Sequence, residues 1–192
     1  MAPTLCTVCD KLGSKICSGC HNIRYCSVKC QVKDRPLHKL LCKTFNKFKE
    51  KPSTNLVRAI FFPADGDSSR FVWLEDEGYT TGFEFVGKDI GYASRQVTIF
   101  SPGSRIGCPL GYTVALTHCS LFAMSSLAPN LIMHKIAKHV NAIRPDYWRG
   151  SFLVVGFEDT TILNDNVCPL YDLDTTVLGP IAAFLKDKDF PN

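Results

Sequence analysis

Residues 6–42 read CTVCDKLGSKICSGCHNIRYCSVKCQVKDRPLHKLLC, and this stretch decides how the N-terminal part of the chain folds. It carries seven of the ten cysteines and one well-spaced histidine: Cys6, Cys9, Cys17, Cys20, Cys26, Cys30, His38 and Cys42. The pairs are C-x2-C, C-x2-C, C-x3-C and H-x3-C. A C-x2-C pair on a tight turn, or a C-x3-C pair on one helical turn, aims two sulfurs at one point. Zn²⁺ takes four such N or S ligands at tetrahedral corners, about 2.0–2.3 Å away. Eight ligands therefore predict two Zn²⁺ ions in closed structural sites, with no open position for a catalytic water. Chain order alone leaves open which pairs share a metal. Abundant cysteine also suits a disulfide framework in a secreted protein. The N-terminal MAPTLCTVCDKLGSKIC lacks the apolar core of a secretory signal, so thiolate–metal chemistry in a reducing compartment, nuclear or cytoplasmic, is expected.

The same residues, including the stretch YCS-x-x-CQ-x-x-D-x-x-x-HK-x-x-C, resemble a MYND zinc finger. That resemblance implies an interleaved pairing: Cys6, Cys9, Cys26 and Cys30 on one zinc, Cys17, Cys20, His38 and Cys42 on the other. It also implies short helices around Cys26–Asp34 and from Pro36 onward, where proline suits a first helical turn. His21, directly after Cys20, reads as a solvated loop residue because the eight positions are already filled. So short a segment cannot bury enough apolar surface to fold alone, which makes zinc the main source of its folding free energy. Chelation is then expected to unfold the finger and leave the rest structured.

MYND fingers are protein-interaction modules that often recognise proline-containing peptides. In the family, the Gln after the sixth cysteine and a Trp four positions later help form the peptide groove. Gln31 matches the first; Arg35 replaces the second, which predicts an acidic or differently shaped ligand. The expected partner surface, Gln31, Arg35 and Lys39, belongs to the Cys26–Cys42 segment. The resemblance implies an interaction adaptor in transcriptional or ubiquitin-linked regulation, its partner a protein or peptide segment.

Charge tests a rival reading. Residues 1–51 hold 11 Lys/Arg and 3 Asp/Glu, a formal +8, against −4 for residues 52–192. A basic finger invites nucleic acid. Two Zn²⁺ with seven ligating thiolates lower the finger to about +5, because ligating cysteines are deprotonated. Lys39, Lys43, Lys47, Lys49 and Lys51 are expected as a solvated helical stripe. The spacing matches neither a DNA-reading zinc finger nor an RNA-binding sheet, leaving only non-specific nucleic-acid association as an alternative.

Domain division is expected at residues 1–50 and 51–192, across Glu50–Thr54, where charge, Pro and small polar residues meet. Beyond it, apolar runs at Leu56–Phe62, Phe71–Leu74, Phe83–Val86, Val97–Phe100, Thr113–Leu116 and Phe152–Phe157 predict strands, bounded by turn signals at 64–67 and 101–104. Asn130–Ile143 shows helical spacing, with Leu131, Ile132, Ile136, Val140 and Ile143 on an apolar face. A last helix is predicted after Gly179-Pro180, burying Ile181, Phe184 and Leu185. The result is an α+β fold: a two-zinc finger followed by a mainly antiparallel sheet with one or two helices. Phe71–Leu74, Asn141–Ile143, Trp148–Gly150 and Tyr171–Leu173 resemble fungal proteins in which a further domain follows a MYND finger. No apolar run approaches the roughly 20 residues that span a bilayer, so no membrane partner is expected.

The second alternative is an enzyme with its site in residues 52–192. Some MYND fingers are inserted in SET-domain lysine methyltransferases, but that domain's Asn-His pair and glycine-rich segment are absent. Gly82–Asp89 has P-loop glycine and lysine spacing, yet Asp89 stands where a Ser or Thr would hold Mg²⁺. His118 and Cys119 are adjacent near a strand end, so their side chains point to opposite faces. His134 and His139 are five apart, roughly 140° around a helix. Cys108, Cys119 and Cys168 lie beside apolar residues and read as buried structural thiols. No catalytic residue is assigned.

Overall fold

A computed structural model describes residues 5–66, 68–75, 95–100, 112–119, 126–142, 147–157 and 170–187. The expected strand at Phe83–Val86, the turn at 101–104, Gly82–Asp89, Cys108 and Cys168 lie outside the described residues.

Two small hairpins begin the chain. β1 (Leu5–Cys6) pairs antiparallel with β2 (Cys9–Leu12), with Cys6 opposite Cys9; β3 (Lys15–Ile16) pairs with β4 (Arg24–Tyr25). They lead into α1 (Val28–Phe45). Ser27 is its N-cap: the extended backbone there turns the hydroxyl to accept from the Cys30 N–H at 3.3 Å. One continuous helix replaces the two short ones expected, and Pro36 lies inside it. Proline costs a helix interior about 3 kcal/mol. The helix tolerates it because both halves are tied elsewhere: Cys30 on one side of Pro36 and His38 and Cys42 on the other reach separate ligand clusters.

The second part is an antiparallel sheet in the order β6-β5-β9-β8-β7. Its strands are β5 (Leu56–Phe62), β6 (Arg70–Glu75), β7 (Arg95–Phe100), β8 (Thr113–Cys119) and β9 (Phe152–Phe157). β10 (Leu170–Tyr171) takes over from β5 along β9: Phe152–Val154 pair with β5, while Gly156 and Phe157 pair with β10. Gly156 permits this approach, since a Cβ there would lie 2.8 Å from Leu173 Cδ2 and 3.0 Å from the Tyr171 carbonyl.

α2 (Leu131–His139) and α3 (Leu178–Asp187) complete the α+β architecture expected from the sequence. α2 ends at His139 because Asn141 adopts a left-handed φ of 54°; Ile143, expected on its apolar face, lies outside the described residues. The Asn141 N–H then bonds the Lys138 carbonyl and the Ala142 N–H the Ala137 carbonyl, closing the helix as a Schellman motif. The buried arc of α2 is also rotated from expectation. Met133 and Ala137 join Ile132 and Ile136 inside, while Leu131 is 49% exposed and Val140 only half-buried. In α3, Ile181 and Leu185 are buried as expected; Phe184 is half-buried against Trp148.

One apolar core runs from finger to sheet. Ile23 just before β4, Tyr25 in it, and Leu41 and Phe45 of α1 join Phe62, Phe71, Val154, Ile132, Ile136, Ile181 and Leu185 in a single cluster. Each such fully buried side chain is worth roughly 1.5–3 kcal/mol, so the finger helix has a strong reason to stay docked. Val57, Ala59, Phe61, Leu153 and Val155 form a second cluster on the opposite face of the sheet. Strands buried on both faces explain why β5 and β9 read as continuous apolar runs.

Asn130 pins this assembly. Fully buried, it caps α2 by accepting from the Met133 N–H at 3.0 Å, and its amide donates to the carbonyls of Phe62 (3.0 Å) and Gly150 (2.9 Å).

Candidate functional site

Each half-site has a local cause. The β1–β2 turn presents Cys6 and Cys9, the turn after β3 presents Cys17 and Cys20, Cys26 sits between β4 and α1, and α1 supplies Cys30, His38 and Cys42. Cys26 and Cys30 flank the Ser27 cap, while His38 and Cys42 are one helical turn apart on α1. Gly19 is required in the second turn: a Cβ there would lie 2.9 Å from Cys42 Sγ. Asn46 braces the same turn by donating to the Gly19 carbonyl at 2.8 Å.

The ligand atoms gather in two groups, Cys6/Cys9/Cys26/Cys30 and Cys17/Cys20/His38/Cys42, with all atoms of each group within 4.8 Å of one another. Within the first group Cys9–Cys26 and Cys26–Cys30 are 3.5 Å apart and Cys9–Cys30 is 3.9 Å. In the second, His38 Nε2 lies 3.3 Å from Cys17 Sγ and 3.5 Å from Cys20 Sγ, and Cys17–Cys42 is 3.8 Å. A tetrahedron with Zn–S bonds of about 2.3 Å has edges of about 3.8 Å. A disulfide needs sulfurs about 2.05 Å apart, and these cysteines are free.

Protonation points the same way. Hydrogen bonding of the Cys26 thiol to Cys30 and Cys9 favours its protonated form and pushes it up to about 12. Burial, then the charge of Cys20 and contacts with Cys17, push Cys42 up to about 12. So many sulfurs this close cannot all ionise without a cation among them. Burial holds His38 below its ordinary value, hence neutral, which is the ligating form. With Nε2 turned to the sulfurs, its buried Nδ1 has no hydrogen-bond partner among the described residues. The donor set fits two zinc ions. Bound zinc supplies cross-linking rather than catalysis, because protein ligands fill all four corners.

Beside the second zinc site lies a groove of about 420 Å³. Gln31, Arg35 and Lys39 all line it, together with Val28, Val32 and Lys43. Val28 and Val32 are 58% and 61% exposed, unusual for valines on a helix that buries its other face. The groove therefore has an apolar strip with cationic side chains along one border.

The expected basic stripe is broken. α1 ends at Phe45 with Lys39 and Lys43 on it, Lys47 follows in a 3-10 turn (Asn46–Phe48), and Lys49 and Lys51 lie beyond any helix. Lys51 pairs with Asp172 at 3.1 Å. His21 is exposed in a left-handed turn, as the sequence predicts. His118 and Cys119 are both buried in β8, where His118 Nδ1 lies 2.8 Å from the Cys119 carbonyl oxygen. No helix among the described residues is long and apolar enough to cross a membrane.

Two functional groups escaped the sequence reading. Asp34, half-buried, accepts from the Tyr25 hydroxyl at 2.7 Å and braces α1 against β4. Arg58 is 9% exposed in β5 and donates to the carbonyls of Phe48 and Leu173. Asp34 stands in the family stretch as the D of CQ-x-x-D, but without a role attached; Arg58 interrupted an apolar run.

These observations define a two-zinc, cross-braced Cys/His finger docked on an antiparallel sheet. Residues 6–42 match the MYND finger family, and this segment is a MYND finger, generally a protein–protein interaction module. Among curated proteins, the chain is 32% identical over 112 residues to Tudor domain-containing protein 1 of Oryzias latipes, covering 53% of this chain and 9% of that one. It is 46% identical over 48 residues to Ubiquitin carboxyl-terminal hydrolase 19 of Arabidopsis thaliana, covering 24% and 7%. It is 46% identical over 37 residues to the Zinc finger MYND domain-containing protein 10 homolog of Drosophila melanogaster, covering 19% and 8%. The chain thus spans less than a tenth of the length of each of these relatives. No solved structure matches it.

Proposed function

We propose that the chain is an interaction adaptor of the nucleus or cytoplasm whose finger presents the Gln31–Arg35–Lys39 face of α1 to a segment of a partner protein. The observation that carries this reading is the groove itself, in which exposed Val28 and Val32 lie beside Arg35, Lys39 and Lys43. Exposed aliphatic side chains next to fixed cations favour a peptide with an apolar anchor and an acidic neighbour. Arg35, in place of an aromatic platform, turns the surface from proline stacking towards charge pairing. Zinc acts at a distance by holding α1 against the Cys17–Cys20 turn, whose Cys17 and Gly19 line the groove. Residues 51–192 serve in this reading as a separate α+β domain on which the finger is mounted. The likeness to a ubiquitin hydrolase supports a ubiquitin-linked setting; a transcriptional one rests on the finger's resemblance alone.

Affinity capture from the native host with wild type, Cys26→Ser and Arg35→Glu tests it. The same partners are expected to disappear with both variants, while Arg35→Glu keeps its zinc. Full retention of every partner by Cys26→Ser would remove the finger from the interaction.

A further inference from the structure

A second cavity lies on the other side of α1, where the finger meets the two C-terminal helices. At roughly 100° per residue, Lys33, Asp34 and Leu37 fall opposite Val28, Val32, Arg35 and Lys39. They border an open cavity of about 510 Å³ that is also lined by His139 and Val140 at the end of α2 and by Gly179, Ala182, Ala183 and Lys186 of α3. Those α3 residues fall at i, i+3, i+4 and i+7, one stripe on a helix. Three are Gly or Ala, so α3 leaves open a volume that larger side chains would fill. Around it the seam is closely packed, with Leu37, Ile181 and Leu185 in the shared core. The depression opens to solvent between the exposed side chains of Lys33, His139 and Lys186.

The charges around the gap favour one sign of ligand. Lys33 and Lys186 are both exposed and come from different helices, with His139 nearby. Among the described residues the one carboxylate bordering the cavity is Asp34, which is turned to the Tyr25 hydroxyl and accepts from it at 2.7 Å. Val8, Leu37, Val140 and Ala182 supply an apolar floor.

We infer that this seam is a second docking site, for an acidic segment of a partner protein that places an aliphatic side chain on the floor and its carboxylates against Lys33 and Lys186. The site needs α1, α2 and α3 together, so it belongs to this chain's combination of finger and sheet domain rather than to the finger. It does not depend on the groove at Gln31. A peptide held there bridges the two parts and favours the docked arrangement by mass action.

The test is a titration of the zinc-loaded full chain, labelled with ¹⁵N, against a pool of octapeptides alternating Asp/Glu with Leu/Ile/Val/Met. A pool with Lys/Arg in the acidic positions, and octanoate, serve as comparisons. The acidic pool is expected to shift the amides of Lys33, Val140 and Ala183. Ala183→Trp, which fills the cavity, and the double reversal Lys33→Glu with Lys186→Glu should each weaken the response about tenfold. Arg35→Glu should leave it within about twofold. If Ala183→Trp loses amide dispersion, the exposed lysine pair carries the test. Absence of shifts, an equal response to the basic pool, shifts confined to Gln31 and Arg35, or binding of octanoate but not peptide would each overturn the proposal.

Discussion

The guanidinium carbon of Arg58 lies 5.0 Å from the centroid of the Phe45 ring, joining the last turn of the finger helix to the second strand partner of the sheet. The same group stands 5.9 Å from both the Phe71 and Trp73 rings. Its N–H groups donate to the carbonyls of Phe48 and Leu173, and its backbone N–H donates to Asp172 Oδ1 at 2.8 Å. Burial pulls its pKa below the ordinary value, yet a guanidinium remains charged at any relevant pH. One side chain therefore holds α1, the sheet and the 172–174 segment in register.

Arg58→Met should cost about 2–4 kcal/mol, from lost cation–π contact and two carbonyls left without a donor. Arg58→Lys should recover less than half of that, because an ammonium cannot reproduce a stacked planar fork. Urea unfolding of the zinc-loaded protein measures both. A loss below about 0.5 kcal/mol for Arg58→Met would reduce the clamp to a surface-grade interaction.

Zinc removal should reach further than the finger. Structural zinc is worth roughly 10–16 kcal/mol of apparent binding free energy in isolated fingers. Here Leu41 and Phe45, on the ligand-bearing helix, belong to the core shared with the sheet. Chelation should abolish amide dispersion for the finger residues and also lower the melting midpoint of the remainder, contrary to the independence the sequence suggests. Zinc must displace protons from thiols such as Cys26 and Cys42, so retention should weaken as pH falls. A dispersed finger spectrum without metal, or an unmoved midpoint for the sheet, would refute this coupling.

Asp34 provides a pH signature. Burial raises its pKa, opposed by the Tyr25 hydroxyl and by nearby His139. A carboxyl raised in the folded state contributes stability that is complete below its unfolded value and lost as pH rises through the folded one. At pH 7 its charge is therefore a net cost. Asp34→Asn keeps an acceptor for Tyr25 and should be the more stable form at pH 7, with the difference narrowing as pH falls through the raised carboxyl value in zinc-containing buffer. A less stable Asp34→Asn at pH 7 would mean that the hydrogen bond to the carboxylate outweighs its burial.

The eight ligands were legible because metal chemistry fixes residue type and spacing locally, and the interleaved pairing followed from the family pattern. β5 and β9 were legible from end to end, since apolar runs bounded by turn residues leave few other choices. What stayed hidden was non-local. Pro36 marks a helix start by local preference, and only ligands on both sides make it an interior residue. Asn130 looks like an ordinary cap until its amide is seen bridging Phe62 and Gly150, 68 and 20 positions away. Arg58 reads as a flaw in an apolar strand because its partner Leu173 is 115 positions distant. The phase of α2 was misjudged at Leu131 because periodicity gives the width of an apolar face but not the neighbour it packs against.

The crossing of ligand pairs also governs when the chain can fold. Cys6 and Cys9 need Cys26 and Cys30 to complete a site, and Cys17 and Cys20 need His38 and Cys42. During synthesis the early thiol pairs must wait, exposed and half-coordinated, until α1 has emerged. The helix that closes both sites then seeks a core whose β9 and α3 emerge more than 100 residues after it. A newly made finger thus carries its metal before it has anything to lean on, and a ribosome stalled between residues 50 and 150 would display it in that state.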